Sequence, residues 1–423
     1  MRRIPWLIAA PIALILMFAL KFSLRIPIWD GWTWILHLQR YESGQISLFD
    51  VLTLAHIEHP YGLPTLLFLT LGQACAYRFD PFGVLCATML CVAMLVFLRG
   101  AHHDGIRSSV GFLLLAALLL TLRQSDNIVY AFQLGFPMTI ALGLGAVWAA
   151  VRAAEAQRPR ATAAWTATLI LLASASMLCS AAAPAVFLGA AIPLLLSGRP
   201  VARKALAAVA IAGVFWVARY YLQIFRHTRA RMPEAGGAAD AVIGFCSVIG
   251  SGLTGQRTWS VTLGAIVVAA FVALSFFRTD EKRPVFLISS GALSLGLAAT
   301  VTAGRGGMGG IVPSRYTSFT LPLVAAVLAL LLRVFQDWRP LARWTATALC
   351  ALLLAVSIGT STVVAWQSGQ WEQSHSAELT RIMTSDPPSS AREIALLNPG
   401  PTTLISSLVQ FLRERKYNVF APP

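Results

Sequence analysis

Apolar runs long enough to cross a bilayer recur from the first residues to Trp366, and short clusters of arginine and lysine separate them. Lipid offers no hydrogen-bond partner, so a spanning segment must pair its backbone internally, as a helix or within a closed barrel. Runs near 20 residues have the helical length, whereas barrel strands need only about 10. The chain is therefore expected to be an all-α polytopic membrane protein. Composition agrees, because 57% hydrophobic and 12% charged residues leave too little polar surface to cover a water-soluble globule. The net charge of +15 does not point to nucleic acid: the basic residues flank apolar runs, where they set orientation. Cys75, Cys86, Cys91, Cys179, Cys246 and Cys350 lie mostly inside those runs without metal-ligand spacing and read as small core residues.

Met1-Arg2-Arg3 followed by the apolar Ile4–Leu24 has the opening of a signal peptide. The run is of spanning length, however, and Lys21-Phe22-Ser23-Leu24-Arg25 offers no small-residue cleavage site. It reads as a retained first helix with a cytoplasmic N-terminus. The stretch 62–77 is apolar enough to cross, yet counting it as a crossing puts the clusters at 152–160, 199–204, 278–283 and 333–343 outside. Treating it as an interfacial or re-entrant helix puts them all in the cytoplasm with Arg99 and Arg107, as the positive-inside rule demands. The remaining spans are expected at Phe82–Leu98, Val110–Leu122, Leu134–Val151, Ala161–Met177, Cys179–Leu196, Ala205–Leu222, Val261–Phe277, Pro284–Val301, Phe319–Leu332 and Trp344–Trp366. With the first helix they make about eleven, the odd number that leaves the C-terminal tail outside. Residues 1–366 then form the transmembrane domain, 25–80 the first outer loop, and 367–423 a small outer tail.

The first outer loop gathers Asp30, Glu42, Asp50, His56, Glu58 and His59 in a chain poor in acids. Trp32, Ile35 and Leu36 share one helical face before Gly44 supplies a stop, and Ser47 to Asp50 resembles a capping box with Asp in place of Glu or Gln. Leu48, Val51, Leu52 and Ala55 would be the buried stripe of that second helix. Two short amphipathic helices lying in the membrane interface fit this pattern, with Trp29, Trp32 and Trp34 at the matching depth. In the tail, Leu404, Ile405, Leu408, Phe411 and Leu412 fall at helical spacing. They suit either a cap over the outer site or an amphipathic helix resting on the membrane.

The expected topology collects the unusual polar chemistry on one side. Asp30 stands between Trp29 and Gly31 at the exit of the first helix, where an isolated carboxylate is either solvated or used. His56-Ile57-Glu58-His59 lacks the HExxH spacing that puts two histidines on one helical face. Gly304 to Gly310 is a glycine-rich loop carrying Arg305, and Ser314-Arg315-Tyr316 opens the next helix. Glycines let a backbone approach a ligand, and a guanidinium holds a phosphate through two parallel hydrogen bonds.

These motifs, in this order, resemble the GT-C superfamily of integral-membrane glycosyltransferases, and more closely a poorly characterised bacterial branch of it. The resemblance is carried by Trp29-Asp30-Gly31-Trp32, Ile57-Glu58-His59-Pro60 with Pro64 and Leu66, Asp126-Asn127 through Phe132-Gln133, and Ser314-Arg315-Tyr316. Gly31 replaces the second acid of the first motif, and Pro60 stands where the second usually has arginine.

The resemblance implies a GT-C-like enzyme of a bacterial inner membrane that takes a sugar from a polyprenyl-phosphate donor on the outer face. The acceptor is a glycan, a lipid or a protein. Asp30 is then the candidate general base with Glu58 as second catalytic carboxylate, and Arg305 and Arg315 hold the donor phosphate. His56, His59, Asp126, Asn127, Gln133 and Tyr316 complete the substrate-binding set. No cofactor is identified with certainty, and a divalent cation is left open by the missing second acid. Two rival classes are a transporter or flippase of a lipid-linked or anionic substrate, and an oligosaccharide polymerase or ligase. The first should show midplane charges or an internal repeat, but Arg219 is nearly alone in the spans. The second transfers a preassembled chain, and the acid at the first helix exit favours the monosaccharide transferase over it.

Overall fold

The structure, a computed structural model, describes residues 4–56, 59–227, 237–276, 283–305, 312–336, 338, 340–385, 390–398 and 401–421. It is 83% helical. After α1 (Ile4–Phe22) comes the first loop, with α2 (Trp32–Glu42), α3 (Leu48–Val51), the strands β1 (Ala55–His56) and β2 (His59–Pro60), and α4 (Gly62–Leu71). The helices α5 (Asp80–His103), α6 (Ser109–Leu119), α7 (Asp126–Val129), α8 (Gly135–Glu155), α9 (Pro159–Met177), α10 (Pro184–Leu196) and α11 (Pro200–His227) follow. The chain continues through α12 (Ala238–Gly250), α13 (Arg257–Phe276), α14 (Val285–Arg305), α15 (Thr317–Gln336), α16 (Pro340–Thr384), α17 (Ala391–Leu397) and α18 (Thr402–Arg415).

Among the described residues, seven helices are long and apolar enough to cross a membrane by length and composition, which does not confirm the expected count of about eleven. The difference has a physical origin. Ser109–Gln124 and Pro184–Leu196 are shorter apolar helices, reaching only about 20 to 24 Å at 1.5 Å per residue against a hydrocarbon core of about 30 Å. The expected Ala161–Met177 span lies within α9, whose Thr162, Thr166, Thr168, Ser174 and Ser176 dilute its apolarity. Residues 179–183 precede α10, so the expected span from Cys179 is shorter than the sequence suggests. Ala238–Gly250 is an apolar helix that the sequence reading omits. The ten residues of α4 extend only about 15 Å, half the hydrocarbon thickness.

The first loop is packed into the protein through its tryptophans. Trp34 is fully buried, with its ring 4.7 Å from Phe68, 5.3 Å from Phe132, 5.6 Å from Phe79 and 5.7 Å from Phe82. Trp32 is buried as well, and only Trp29 keeps the half-exposed position expected of an interfacial tryptophan. Gly44 ends α2 as anticipated: at φ +73° it lets Gln45 N–H reach Arg40 O at 2.9 Å and its own N–H reach Tyr41 O at 3.0 Å. The Ser47–Asp50 capping box is present. Of the stripe after it only Val51 is fully buried, because α3 stops after four residues and leaves Leu48 exposed.

No helix end separates residue 367 from the span before it. Helix α16 continues through 45 residues, about 67 Å of helix, and its upper half packs on the end of α1. Trp366 meets Phe22 edge-on at 4.8 Å, Lys21 Nζ lies 4.3 Å from the Trp366 ring, and Gln373 donates to the Lys21 carbonyl. Helix α18 buries Ile405, Leu408, Phe411 and Leu412, as its spacing predicts, and packs against α2, so the tail docks on the first loop. Tyr417 Oη donates to Glu42 at 2.8 Å and Arg415 Nε to the same carboxylate at 3.0 Å.

At the other end of the bundle Asp104 joins three elements. Its carboxylate accepts from Leu287 N–H at the start of α14 at 2.9 Å, and its carbonyl accepts from Arg333 of α15 at 2.8 Å. His103 bridges Asp104 at 3.2 Å and Glu155 of α8 at 3.0 Å.

Helices α12 and α13 touch backbone to backbone. A Cβ at Gly264 would come 1.9 Å from Cys246 O, and one at Gly250 1.9 Å from Ser260 O. Small residues permit such contact, which is a principal source of helix association in lipid. Gly264→Leu is expected to destabilise the protein by about 3 kcal/mol or more. Gly359→Leu, at a helical glycine with nothing within 4 Å, should be close to neutral. Thermal unfolding of both variants in detergent checks the pair, and equal midpoints would disprove the close contact.

Candidate functional site

Asp30 sits in a single helical turn, Trp29–Gly31, that joins the extended segment after α1 to α2. Gly31 leaves little space behind it, since a Cβ there would stand 3.1 Å from Phe79. The Asp30 carboxylate is 55% exposed. The two short strands pair Ala55 with Pro60 and His56 with His59, and this hairpin carries His56 to Asp30. His56 Nε2 lies 3.3 Å from Asp30 Oδ1, and Nδ1 lies 3.2 Å from Thr33 Oγ1 on α2. The imidazole edge rests on Phe132, 5.1 Å between centroids.

A second set of bonds ties the 123–133 segment to the start of α15. Asn127 Nδ2 donates to Arg315 O at 3.0 Å and to Ser318 Oγ at 3.3 Å. Asp126 N–H donates to Ser314 Oγ at 3.2 Å. Asn127 is fully buried and Tyr316 nearly so, with Tyr316 edge-on to Phe136 at 5.5 Å. The Asn127 amide nitrogen is satisfied by these two bonds, while among the described residues its Oδ1 accepts none.

These ties bring distant parts of the chain to one cleft, of about 430 Å³ counting its open mouth. Asp30, His56, Gln133, Ser180 and Arg315 give it polar groups, and Tyr61, Phe132, Phe136 and Cys179 give it apolar surface. Tyr61 stacks on Phe132 at 4.6 Å and accepts the Gly135 N–H at 3.2 Å. Burial pushes its phenol pKa well up, so it remains neutral.

The lining residues share a position in their elements. Tyr61 immediately precedes α4, Gln133 and Phe136 flank the start of α8, Ser180 comes just before α10, and Arg315 just before α15. Four helices therefore begin at the cleft. Several first-turn amides are already paired, Leu63 N–H with Leu178 O, Ala185 N–H with Ala182 O and Gly135 N–H with Tyr61 Oη, and it is the partial positive charge of the helix starts that favours an anion there.

Of the sequence-predicted site residues, the structure brings together Asp30, His56, Gln133 and Arg315. Asn127 and Tyr316 lie behind the cleft; Asn127 holds Arg315 in place and does not reach the cavity. Asp126 is beside them through its backbone bond but does not line the cleft. Arg305 ends α14, with its side chain outside the described residues, as are Glu58 and the side chain of His59. Among the described residues no three His, Cys, Asp or Glu side chains gather as a metal site.

Sequence reasoning missed Cys179 and Ser180, absorbed into an expected span although Pro184, a residue suited to the first turn of a helix, marks its start. It also missed Glu372, which accepts the Tyr130 hydroxyl. Gly369, Glu372 and Leu379 fall on the buried face of α16, a period visible only if the helix is continued past Trp366.

His37 on α2 is buried beside this site, and among the described residues its Nδ1 has no hydrogen-bond partner. Burial first, then Arg40 and His56, lower its pKa from 6.5 to about 4. The unfolded chain therefore takes up the proton first as pH falls. Stability is full above about 6.5 and is lost down to about 4, by roughly 3 kcal/mol at 1.36 kcal/mol per pKa unit. Unfolding midpoints measured from pH 8 to 4 should fall across that window, and His37→Phe should flatten the slope.

The chain matches no protein-family model and no curated protein, so its functional reading rests on the residues of the cleft.

Proposed function

We propose that the protein is a membrane glycosyltransferase that moves a sugar from a polyprenyl-phosphate donor to a hydroxyl of a glycan, lipid or protein acceptor. The observation that carries this reading is the pairing, in one cleft, of the Asp30 carboxylate with the Arg315 guanidinium and four helix N-termini. A hydrolase or transporter of neutral solutes needs no such combination of base and anion site.

The chemistry follows from the parts. Asp30 takes the proton of the acceptor hydroxyl as its oxygen attacks the anomeric carbon. The bond from that carbon to the phosphate oxygen breaks, and the lipid phosphate leaves with an added negative charge. Arg315 and the helix N-termini stabilise that charge as it develops, which is where such interactions contribute most to rate. One displacement inverts the anomeric configuration. Gln133, Ser180 and the neutral Tyr61 phenol are placed to bond sugar hydroxyls. His56, with Nε2 3.3 Å from Asp30 and Nδ1 beside Thr33, faces the carboxylate across the cleft.

The same geometry supports the cleft as the extracytoplasmic face of a bacterial inner membrane. Helices α5, α8, α10 and α15 start at or beside the cleft and run toward Arg99, Arg152, Arg199 and Arg333 respectively. The positive-inside rule assigns that basic end to the cytoplasm. The cleft and tail then lie outside, where a lipid-linked sugar is presented and no nucleotide is needed.

The test is sugar transfer by purified protein in nanodiscs from a panel of polyprenyl-monophosphate hexoses and pentoses to a membrane-glycan extract. Wild type is expected to transfer one of them, and Asp30→Asn to lower kcat by about 10²-fold or more. Arg315→Ala should weaken donor binding. Equal kcat in wild type and Asp30→Asn would remove Asp30 from the mechanism, and wild type that binds no donor would overturn the reading in favour of transport.

A further inference from the structure

Trp29, the residue before Asp30, has a φ of +49°. In that left-handed region a bulky side chain crowds its own backbone, so the conformation persists only where surrounding groups impose it. The groups that contact Trp29 come from far along the chain. Asn398, just after α17, donates from Nδ2 to the Trp29 carbonyl at 2.9 Å. The Trp29 ring lies on Tyr130, 5.1 Å between centroids, and the Tyr130 hydroxyl donates to Glu372 of α16. Glu372 is 7% exposed. The carbonyl that Asn398 holds belongs to the peptide leading into Asp30, so rotation of that peptide would swing the carboxylate.

The segment providing these grips is itself anchored to the loop it holds. Asn418 Nδ2 donates to Arg25 O and to Tyr77 O, each at 2.9 Å. With the Tyr417 and Arg415 bonds to Glu42, these contacts fasten the tail to both ends of the first loop. None of the groups holding Trp29 lines the cleft. Their contacts converge on one strained residue, and that residue adjoins the carboxylate exposed in the cavity.

We propose that Glu372 and Asn398 are positioning residues for Asp30, acting through the Trp29 backbone and ring, so that the tail sets the aim of the cleft's carboxylate. The proposal rests on Asp30 being the base of the transfer described above. Neither residue touches substrate. Their loss should alter turnover and leave the donor phosphate site, built on Arg315 and the helix starts, as it was.

Hydrogen–deuterium exchange of wild type in nanodiscs, beside Asn398→Ala, Glu372→Ala and Glu372→Gln, reads the backbone directly. The alanine variants should exchange the amides of residues 29–33 at least tenfold faster, with α5 and α8 unchanged. Glu372→Gln keeps an acceptor for Tyr130 and should behave as wild type. With an active donor from the panel, Asn398→Ala should lower kcat tenfold or more at unchanged donor KM. Unchanged exchange at 29–33 in both alanine variants, or faster exchange spread equally over α5 and α8, would overturn the proposal. Should wild type transfer no sugar, the transferase reading falls alone, because the exchange measurement still decides whether the tail holds Trp29.

Discussion

A helix in lipid satisfies its own backbone everywhere except at its ends, and this constraint governs where the protein can keep polar chemistry. The first turn of each helix leaves N–H groups unpaired, and in an apolar bundle they must meet side chains, water or a ligand. Here several starts meet one another. Gly135 N–H finds the Tyr61 hydroxyl, and α15 is preceded by a turn that Asn127 and the Asp126 amide hold. Residues at or next to those starts, Tyr61, Gln133, Phe136 and Arg315, line the cleft. At the opposite end of the bundle a side chain does this work: Asp104 accepts the Leu287 N–H of α14.

The close approach of the helices makes this arrangement specific. Gly83 lies against Ile128 O and Ser23, Gly135 against Cys179 O and Tyr61, and Gly296 against Ala185. Each replaces a side chain by direct contact, so a shift of one helix along another would drive a Cβ into backbone. Aromatic residues around Trp34 fill the space where α2, α4 and α5 meet below the first loop. The turn that carries Asp30 is thus seated on a rigid plug.

Much of this was legible in the sequence because it depends on local chemistry. Apolar runs predict helices, Gly44 predicts the end of α2, Ser47 and Asp50 predict a capping box, and the α18 stripe predicts its buried face. The joining of Asp30, His56, Gln133 and Arg315 was legible only through the order of short motifs. Their spacing carries no distance information. What stayed hidden depends on tertiary partners. A tryptophan in a loop reads equally as interfacial anchor or as core, and burial of Trp34 is decided by Phe68 and Phe132. Asn127 carries the same side chain whether it touches a sugar or a carbonyl, and the Arg315 carbonyl decides it. The length of α16 was hidden because polarity rises after Trp366 while helical backbone continues.

That long helix explains how a residue so late in the chain reaches the first loop. Trp366 packs on Phe22, so α16 and α1 are in register where α1 ends. Glu372 is six residues further on, about 9 Å of helix. From Phe22 the chain leaves helical geometry and reaches Trp29 through coil with a bend at residues 25–26. The helix and this segment, which part at one contact, meet again where Tyr130 stands between Glu372 and Trp29. Were α16 to stop at the apolar boundary, Glu372 would have no fixed height, and the Trp29 ring would lose the ordered partner behind it. Continuation of the helix beyond the apolar run is the structural condition for holding the turn that carries Asp30.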